Sequence, residues 1–439
     1  MAAIGLESFK YKKFQITSHV SGRVVDIANS VVDFNYCEDL MSPVAYATAR
    51  VLNTSGLYSG LPIRCGDRVE IEFTSLHGTM VFSGDRSFYV GSLGGLQAEE
   101  RVETFDMMLY FKDSISNETT RVIKKYDSKV RIDQHIRSIL LDVLKVKQTR
   151  ISKIEETLNT YGFHGNFKKP LHTCVWLCPK SIPITGGATG TSGKGITAKA
   201  KGSAGYFFYE TYDGYNFRSV QNLVSGNNDD VNKRVQTFTW SGLIEGDSSL
   251  KNTTKIISYF VVQNNDLLES LLIGLYSNRT YFFDPYKQDL DVYNYTLKEE
   301  MSSAEFNTLS RRKVLNVPDQ FTQIPSRILS RTSDRGMFTD SLSETSGREN
   351  ADIAKATSRY NLVFSQSINI NIALNTSLRV GETVKIILPK PNNKTQTEVD
   401  VDDETSGLYV ISALRHSCVL NENLTALSLI RDSYGLYRS

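Results

Sequence analysis

Three absences bound what this chain of 439 residues can be. It has almost no net charge, +2 overall, so no global field draws it to nucleic acid or to an anionic membrane, and any basic surface must be local. It has only five cysteines, an odd number at scattered spacing. That excludes a disulfide framework and fits a protein folded in a reducing cytoplasm. It also lacks long apolar runs. The two longest, Ile256 to Val262 and Leu267 to Tyr276, fall far short of a membrane span. The N-terminal MAAIGLESFKYKK has no apolar core, so it does not read as a secretory signal. What the chain does have is aromatic side chains, 22 Tyr and 21 Phe, which favour sheets and large interfaces. Its length implies more than one hydrophobic core.

One pattern occurs twice. LPIRCGDRVEIEF (Leu61 to Phe73) and TSLRVGETVKIIL (Thr376 to Leu388) both read aliphatic, Arg, x, Gly, acid, x, Val, x, Ile. Arg64 answers Arg379 and Gly66 answers Gly381 at a constant offset (379 − 64 = 315). Each copy follows an LNTS string, Leu52 to Ser55 and Leu374 to Ser377. Each is predicted to be a strand, a glycine-centred tight turn and a strand of alternating apolar residues such as Val69, Ile71 and Phe73. The repetition implies a duplicated β domain with other material between the copies.

Along the first hundred residues, Val20–Ile27, Val44–Leu52, Arg68–Phe73, Thr79–Phe82, Phe88–Val90 and Val102–Phe111 read as strands of a small antiparallel barrel or sandwich. The period then changes. Ile132, Ile136, Ile139, Leu140, Val143 and Leu144 predict a helix over 129–146, and a second helix starts at Pro170. Ile184–Gly195 reads as a linker, and Gly205–Phe217 as a strand–turn–strand around Asp213-Gly214. Residues 225–255 and 300–350 read as polar loops. Between them, strands at Lys255–Val262 and Thr280–Tyr295 flank a short helix at Leu267–Tyr276. A helix over 350–361 leads to the second β unit, where Ile368, Ile370, Ile372 and Leu374 alternate with Asn369 and Asn371. Strands at Leu408–Leu414 and Leu424–Ile430, joined by a turn at Asn421 and Asn423, answer Phe88–Val90 and Val102–Leu109 of the first copy.

Candidate chemistry is sparse. ATGTSGKG (Ala188 to Gly195) approaches a phosphate-binding loop, but Ala188 stands where the first glycine belongs and Gly195 where a hydroxyl would hold magnesium. His164, His172, Cys174 and Cys178 are the one His/Cys cluster. Cys174 and Cys178 share a helical face with Leu171 and Leu177 while His172 points elsewhere, so buried structural cysteines explain them better than zinc. His19, His77, His135 and His416 stand near no nucleophile motif. Asp400, Asp402, Asp403 and Glu404 lack the spacing of a calcium loop and read as a solvated hairpin tip. Lys194, Lys199 and Lys201 form a local basic patch in a loop. No catalytic, cofactor or metal residue is expected, and a hydrolase would need paired carboxylates or a metal or thiol site.

The chain resembles the baseplate hub protein of contractile-tailed bacteriophages. The likeness is carried by Asn375 to Ile386, Tyr409 to Gly435, Gly205 to Val220 and KKPLHTCVWLCPKSIP (Lys168 to Pro183). It implies a mainly β fold with α+β insertions: a tube-type barrel over 1–112, an α+β domain over 113–204, mixed strands and loops over 205–354, and the main part of a second tube-type barrel over 355–439. It further implies a homotrimer with a pseudo-sixfold ring joining a hexameric tail tube to a trimeric spike, in the virion, without enzymatic activity. Other baseplate proteins and the tape measure protein would be neighbours, with DNA as passing cargo. The hub of type VI secretion or contractile injection spikes shares this architecture. Such proteins continue into their own spike, and the end at Ser439 favours the phage form. A tail-associated peptidoglycan hydrolase is the competing class.

Overall fold

The computed structural model describes residues 10–53, 63–75, 77–99, 102–184, 204–225, 235–240, 253–264, 266–284, 288–301, 308–309, 317–332, 346–390, 401–419 and 422–433. The linker at 185–195, the lysines 194, 199 and 201, Asp400 and Asn421 lie outside these residues.

The N-terminal part is all β: β1 (Lys10–Thr17), β2 (Val24–Asp26), β3 (Val31–Asp39), β4 (Tyr46–Leu52), β5 (Arg68–Ser75), β6 (Gly78–Phe82), β7 (Phe88–Glu99) and β8 (Val102–Phe111). Alternation drives it. Val69, Ile71 and Phe73 of β5 point into a core shared with Phe14, Phe34, Phe82, Phe88 and Leu109. Strand order is β1-β5-β7-β8-β4-β3, all antiparallel, with β2 and β6 as hairpin partners of β1 and β5. Two strands depart from the sequence reading. β1 and β3 were not expected, and of Val20–Ile27 only the short β2, Val24–Asp26, is strand. In β3 the inward positions run Phe34, Tyr36, Glu38, so an acid ends the apolar series and blurs the pattern.

The central unit comprises α1 (Lys112–Thr119), β9 (Lys125–Tyr126), α2 (Ile132–Ser138), β10 (Ile151–Ile154), β11 (Phe163–His164), α3 (Pro170–Leu177), β12 (Tyr206–Thr211), β13 (Gly214–Ser219) and α4 (Val220–Leu223). The helix expected over 129–146 is α2, whose last turn widens into a π turn at Ile139–Val143, with Leu144 N donating to Ile139 O at 3.0 Å. β10, β13 and β12 form one sheet, and Tyr206, Phe208, Tyr215 and Phe217 share a core with Ile136, Leu140, Leu171 and Cys174.

The remainder holds β14 (Gln236–Trp240), β15 (Lys255–Asn264), α5 (Leu267–Leu272), β16 (Ser277–Asp284), β17 (Asp289–Thr296), α6 (Leu297–Met301), α7 (Asp319–Thr322), β18 (Arg327–Thr332), α8 (Ser346–Val363), β19 (Gln366–Ala373), β20 (Thr383–Ile387), β21 (Gly407–Val419) and β22 (Glu422–Arg431). β14, β18 and α7 fall where polar loops were expected. Their sequences are polar because each has one face on solvent. β14-β20-β21-β22-β19-β15 closes on itself as a six-stranded barrel. β14 runs parallel to both neighbours, the one departure from an antiparallel pattern. β16, β17 and β18 form a separate sheet lying on α8, with Asn278 Nδ2 donating to Ser358 Oγ at 2.6 Å. No helix among the described residues is long and apolar enough to cross a membrane.

Candidate functional site

The duplicated turn is the first element of the site. At Gly66 and Gly381 φ is +95° and +83°, values open to glycine at the third position of a tight turn. Asp67 N donates to Arg64 O at 3.1 Å, and Glu382 N to Arg379 O at 3.3 Å. In both copies the acid side chain caps the turn, accepting from Arg64 N at 2.8 Å and from Arg379 N at 3.2 Å. In both, the glycine N–H reaches a neighbouring strand, Val90 O at 2.7 Å and Ile411 O at 2.9 Å. Two of the irregularities agree as well. The β7–β8 register slips between Val90 and Ser92, and β21–β22 between Ile411 and Ala413. The β3–β4 register slips between Val31 and Asp33, and β15–β19 between Ile256 and Ser258. A bulge is a specific local feature, so two matched pairs, alongside the shared turn, support two copies of one barrel. The segments 61–73 and 376–388, where described, occupy equivalent places, as the repeated motif predicted.

The copies are joined edge to edge. Seven residues of β3, Asp33 to Asp39, pair antiparallel with Val419 to Ala413 of β21. His416 stacks on Tyr36 with ring centroids 6.3 Å apart. Burial holds the imidazole neutral by pushing its pKa down to about 3, and Thr425 Oγ1 contacts its Nδ1 at 2.9 Å.

Beneath this ladder lies a buried polar bracket that fastens both barrels to the central sheet. Glu38, at the end of β3, accepts from Tyr36 Oη (3.0 Å) and from the backbone N–H groups of Tyr212 (2.7 Å) and Val380 (3.0 Å). One carboxylate thus ties the first barrel, the β12–β13 turn and the second copy of the tight turn. Burial pushes its pKa up, while the Arg379 guanidinium opposes that. Arg379 bonds Asp213 at 3.2 Å and lies 4.7 Å from the Tyr212 ring centroid. Arg218 Nη1 donates to Gly381 O at 3.0 Å. Nearby, Glu210 accepts from Ala45 N at 3.0 Å and pairs with Arg150, whose guanidinium stacks on Phe111 at 4.3 Å. Burial raises the Glu210 pKa to about 7, Arg150 limiting the rise. Enclosed carboxylates engaged by three or two donors support positioning rather than proton transfer to a substrate.

Of the residues weighed from sequence, His416 lies in the joint and His19 beside the first turn, and the others lie elsewhere and apart. Cys174 and Cys178 are buried, Cys174 in α3 and Cys178 in the 3₁₀ turn that follows, as their shared face with Leu171 predicted. His172 is exposed on α3, and His164 sits in β11. His135 Nε2 donates to Tyr161 O at 2.9 Å, and His19 contacts Asp67 at 2.6 Å. Asp402 caps its own hairpin, accepting from Glu404 N at 3.0 Å. Among the described residues no group of His, Cys, Asp and Glu is arranged to hold a metal ion. Sequence reasoning missed Glu38, Arg150, Glu210, Arg218 and Tyr212. Only Glu38 carried a signal, as an acid in register with inward Phe34 and Tyr36.

No protein-family model and no curated protein matches the sequence. By structure the chain is similar to the tail protein from Neisseria meningitidis MC58, with a TM-score of 0.52 and 9% identity over 96% of this chain and 97% of that one. It is equally similar to the 43 kDa tail protein of prophage MuSo2 from Shewanella oneidensis, with a TM-score of 0.52 and 8% identity over 96% and 99%. At such identities the likeness is one of fold, and it extends over nearly the whole of all three chains.

Proposed function

We propose that this protein is the structural hub of a contractile phage tail baseplate, a homotrimer that adapts the hexameric tail tube to the trimeric central spike. The observation that supports this most is the pair of matched barrels fixed side by side in one chain. Three such chains present six similar barrels around one axis, so an object of true threefold symmetry offers a near-sixfold face. The ring would enclose a channel for DNA, with other baseplate proteins and the tape measure protein as neighbours, and the protein would reside in the virion. The buried bracket fits this role: it sets the angle between barrels, on which ring closure depends. Its carboxylates are committed to that task, in keeping with a non-enzymatic part.

Cryo-EM of the assembled particle tests the reading. Three copies, each contributing both barrels, are expected. Six copies, or a ring built from the first barrel alone, would refute it. A zymogram on bacterial cell walls tests the hydrolase alternative, and no clearing is expected.

A further inference from the structure

The two barrels are equivalent, but their edges are not equally occupied. In the first barrel β3 pairs with β4 on one side and with β21 on the other. Its counterpart β15 pairs with β19 along its length, whereas among the described residues its other edge meets β14 at Lys255 and Ile256 alone. β21 pairs with β20 near its start and with β3 over Ala413 to Val419. Its counterpart β7 meets β5 at Phe88 and Tyr89, and among the described residues no strand pairs with that edge over 92–98. The offset fixes this correspondence (413 − 92 = 321, 411 − 90 = 321). Among the described residues each chain therefore offers one open edge of either kind, and the β3–β21 joint shows how these two kinds fit.

The side chains beside the open edges are apolar and uncovered. Phe260 is 66% exposed, Val262 52% and Leu96 53%, although all three lie on strands of packed barrels. Open apolar edges are an aggregation hazard that folded proteins cover.

We infer that copies of this chain join head to tail by antiparallel pairing of the β15 edge of one with the β7 edge of the next, repeating between chains the β3–β21 ladder within each. The inference rests on the trimeric reading above and adds the joint to it. Register follows from the intrachain ladder. Asn35 faces Ser417, and the corresponding Phe260 faces the Leu96–Gln97 step, where β7 carries its second bulge. The contact is heterologous, so it closes into a ring when the rotation between barrels within a chain equals that between chains.

Paired cysteines test it. In a Cys65→Ser background, which removes an exposed native thiol, Phe260→Cys is combined with Leu96→Cys and, to cover the bulge, with Gln97→Cys. Facing positions bring Cα atoms within disulfide range. Under mild oxidation, across a concentration series and in assembled tails, one of the two pairs is expected to give a covalent ladder ending at trimer, while each single variant does not. Phe260→Lys is expected to weaken association at least about tenfold with monomer melting unchanged, because a charge on the edge opposes strand addition. A trimer by sedimentation that neither pair cross-links would overturn the joint and leave the trimeric reading standing. A chain monomeric in solution and absent from the ring of assembled tails would overturn both.

Discussion

Replacing the glycine of each repeated turn by alanine separates backbone strain from packing, because the two turns share a conformation but not surroundings. At Gly66 the added methyl meets nothing nearer than His19 Nδ1 at 4.0 Å. The cost is then the left-handed conformation, about 1–2 kcal/mol, partly offset by about 0.4–1 kcal/mol from a less flexible unfolded chain. At Gly381 the same methyl overlaps the Tyr209 hydroxyl and lies 2.9 Å from its Cζ and 3.3 Å from Leu223 Cδ2. Tyr209 is buried in β12 beneath the turn, so it has little room to yield, and overpacking adds about 1–3 kcal/mol. Gly66→Ala should cost roughly 1 kcal/mol and Gly381→Ala roughly 2–4 kcal/mol. For units of about 100 to 250 residues each kcal/mol shifts the melting midpoint by about 2–8 °C, most in the smaller unit. Trp176 and Trp240 are the two tryptophans, so Trp176→Phe leaves Trp240, in β14, as a fluorescent reporter of the second barrel. Equal losses in the two variants, or a larger one at Gly66, would refute the reasoning.

Further outcomes follow from the bracket and the helix cysteines. Arg150→Met leaves Glu210 buried without its cation and should cost about 3–5 kcal/mol. The double variant with Glu210→Met should cost less than the sum of the singles in urea titrations. Glu210 titrates near 7 in the fold against an ordinary 4.5, so the folded chain holds that proton more tightly and its stability contribution falls as pH rises through this window. Glu210→Gln should remove that component, seen as a smaller drop in melting midpoint between pH 4.5 and 7 than in the parent. Elemental analysis should find no zinc tied to Cys174 and Cys178, and stoichiometric metal lost when both are replaced would contradict their role as core residues.

Local chemistry made part of this molecule legible in its sequence. The glycine–acid turn was readable twice because positive φ, an acid cap and alternating apolar residues are all encoded within a dozen positions. The helices at Ile132 and Pro170 were readable from period and from proline. β14 escaped because its partners, Val384–Ile387 and Lys255–Ile256, lie far along the chain, and no local pattern announces a parallel strand that completes a barrel. The bracket escaped for a related reason. Arg150, Glu210 and Arg218 are ordinary charged residues until tertiary structure encloses them, and Glu38 alone carried a hint, its register with the inward Phe34 and Tyr36.

The edge-to-edge joint between β3 and β21 also orders events in time. The first barrel is complete in sequence at Phe111, but the strand that covers β3 ends at Val419. At usual elongation rates the ribosome needs roughly 15–60 s to traverse that interval. Throughout it, the nascent first barrel carries an exposed strand that invites pairing with any neighbour, including another nascent chain on the same messenger. Domain exchange between adjacent ribosomes is therefore the characteristic error open to this topology. The intervening 112–406 segment must be made quickly and kept from straying if β21 is to reach its own β3 first.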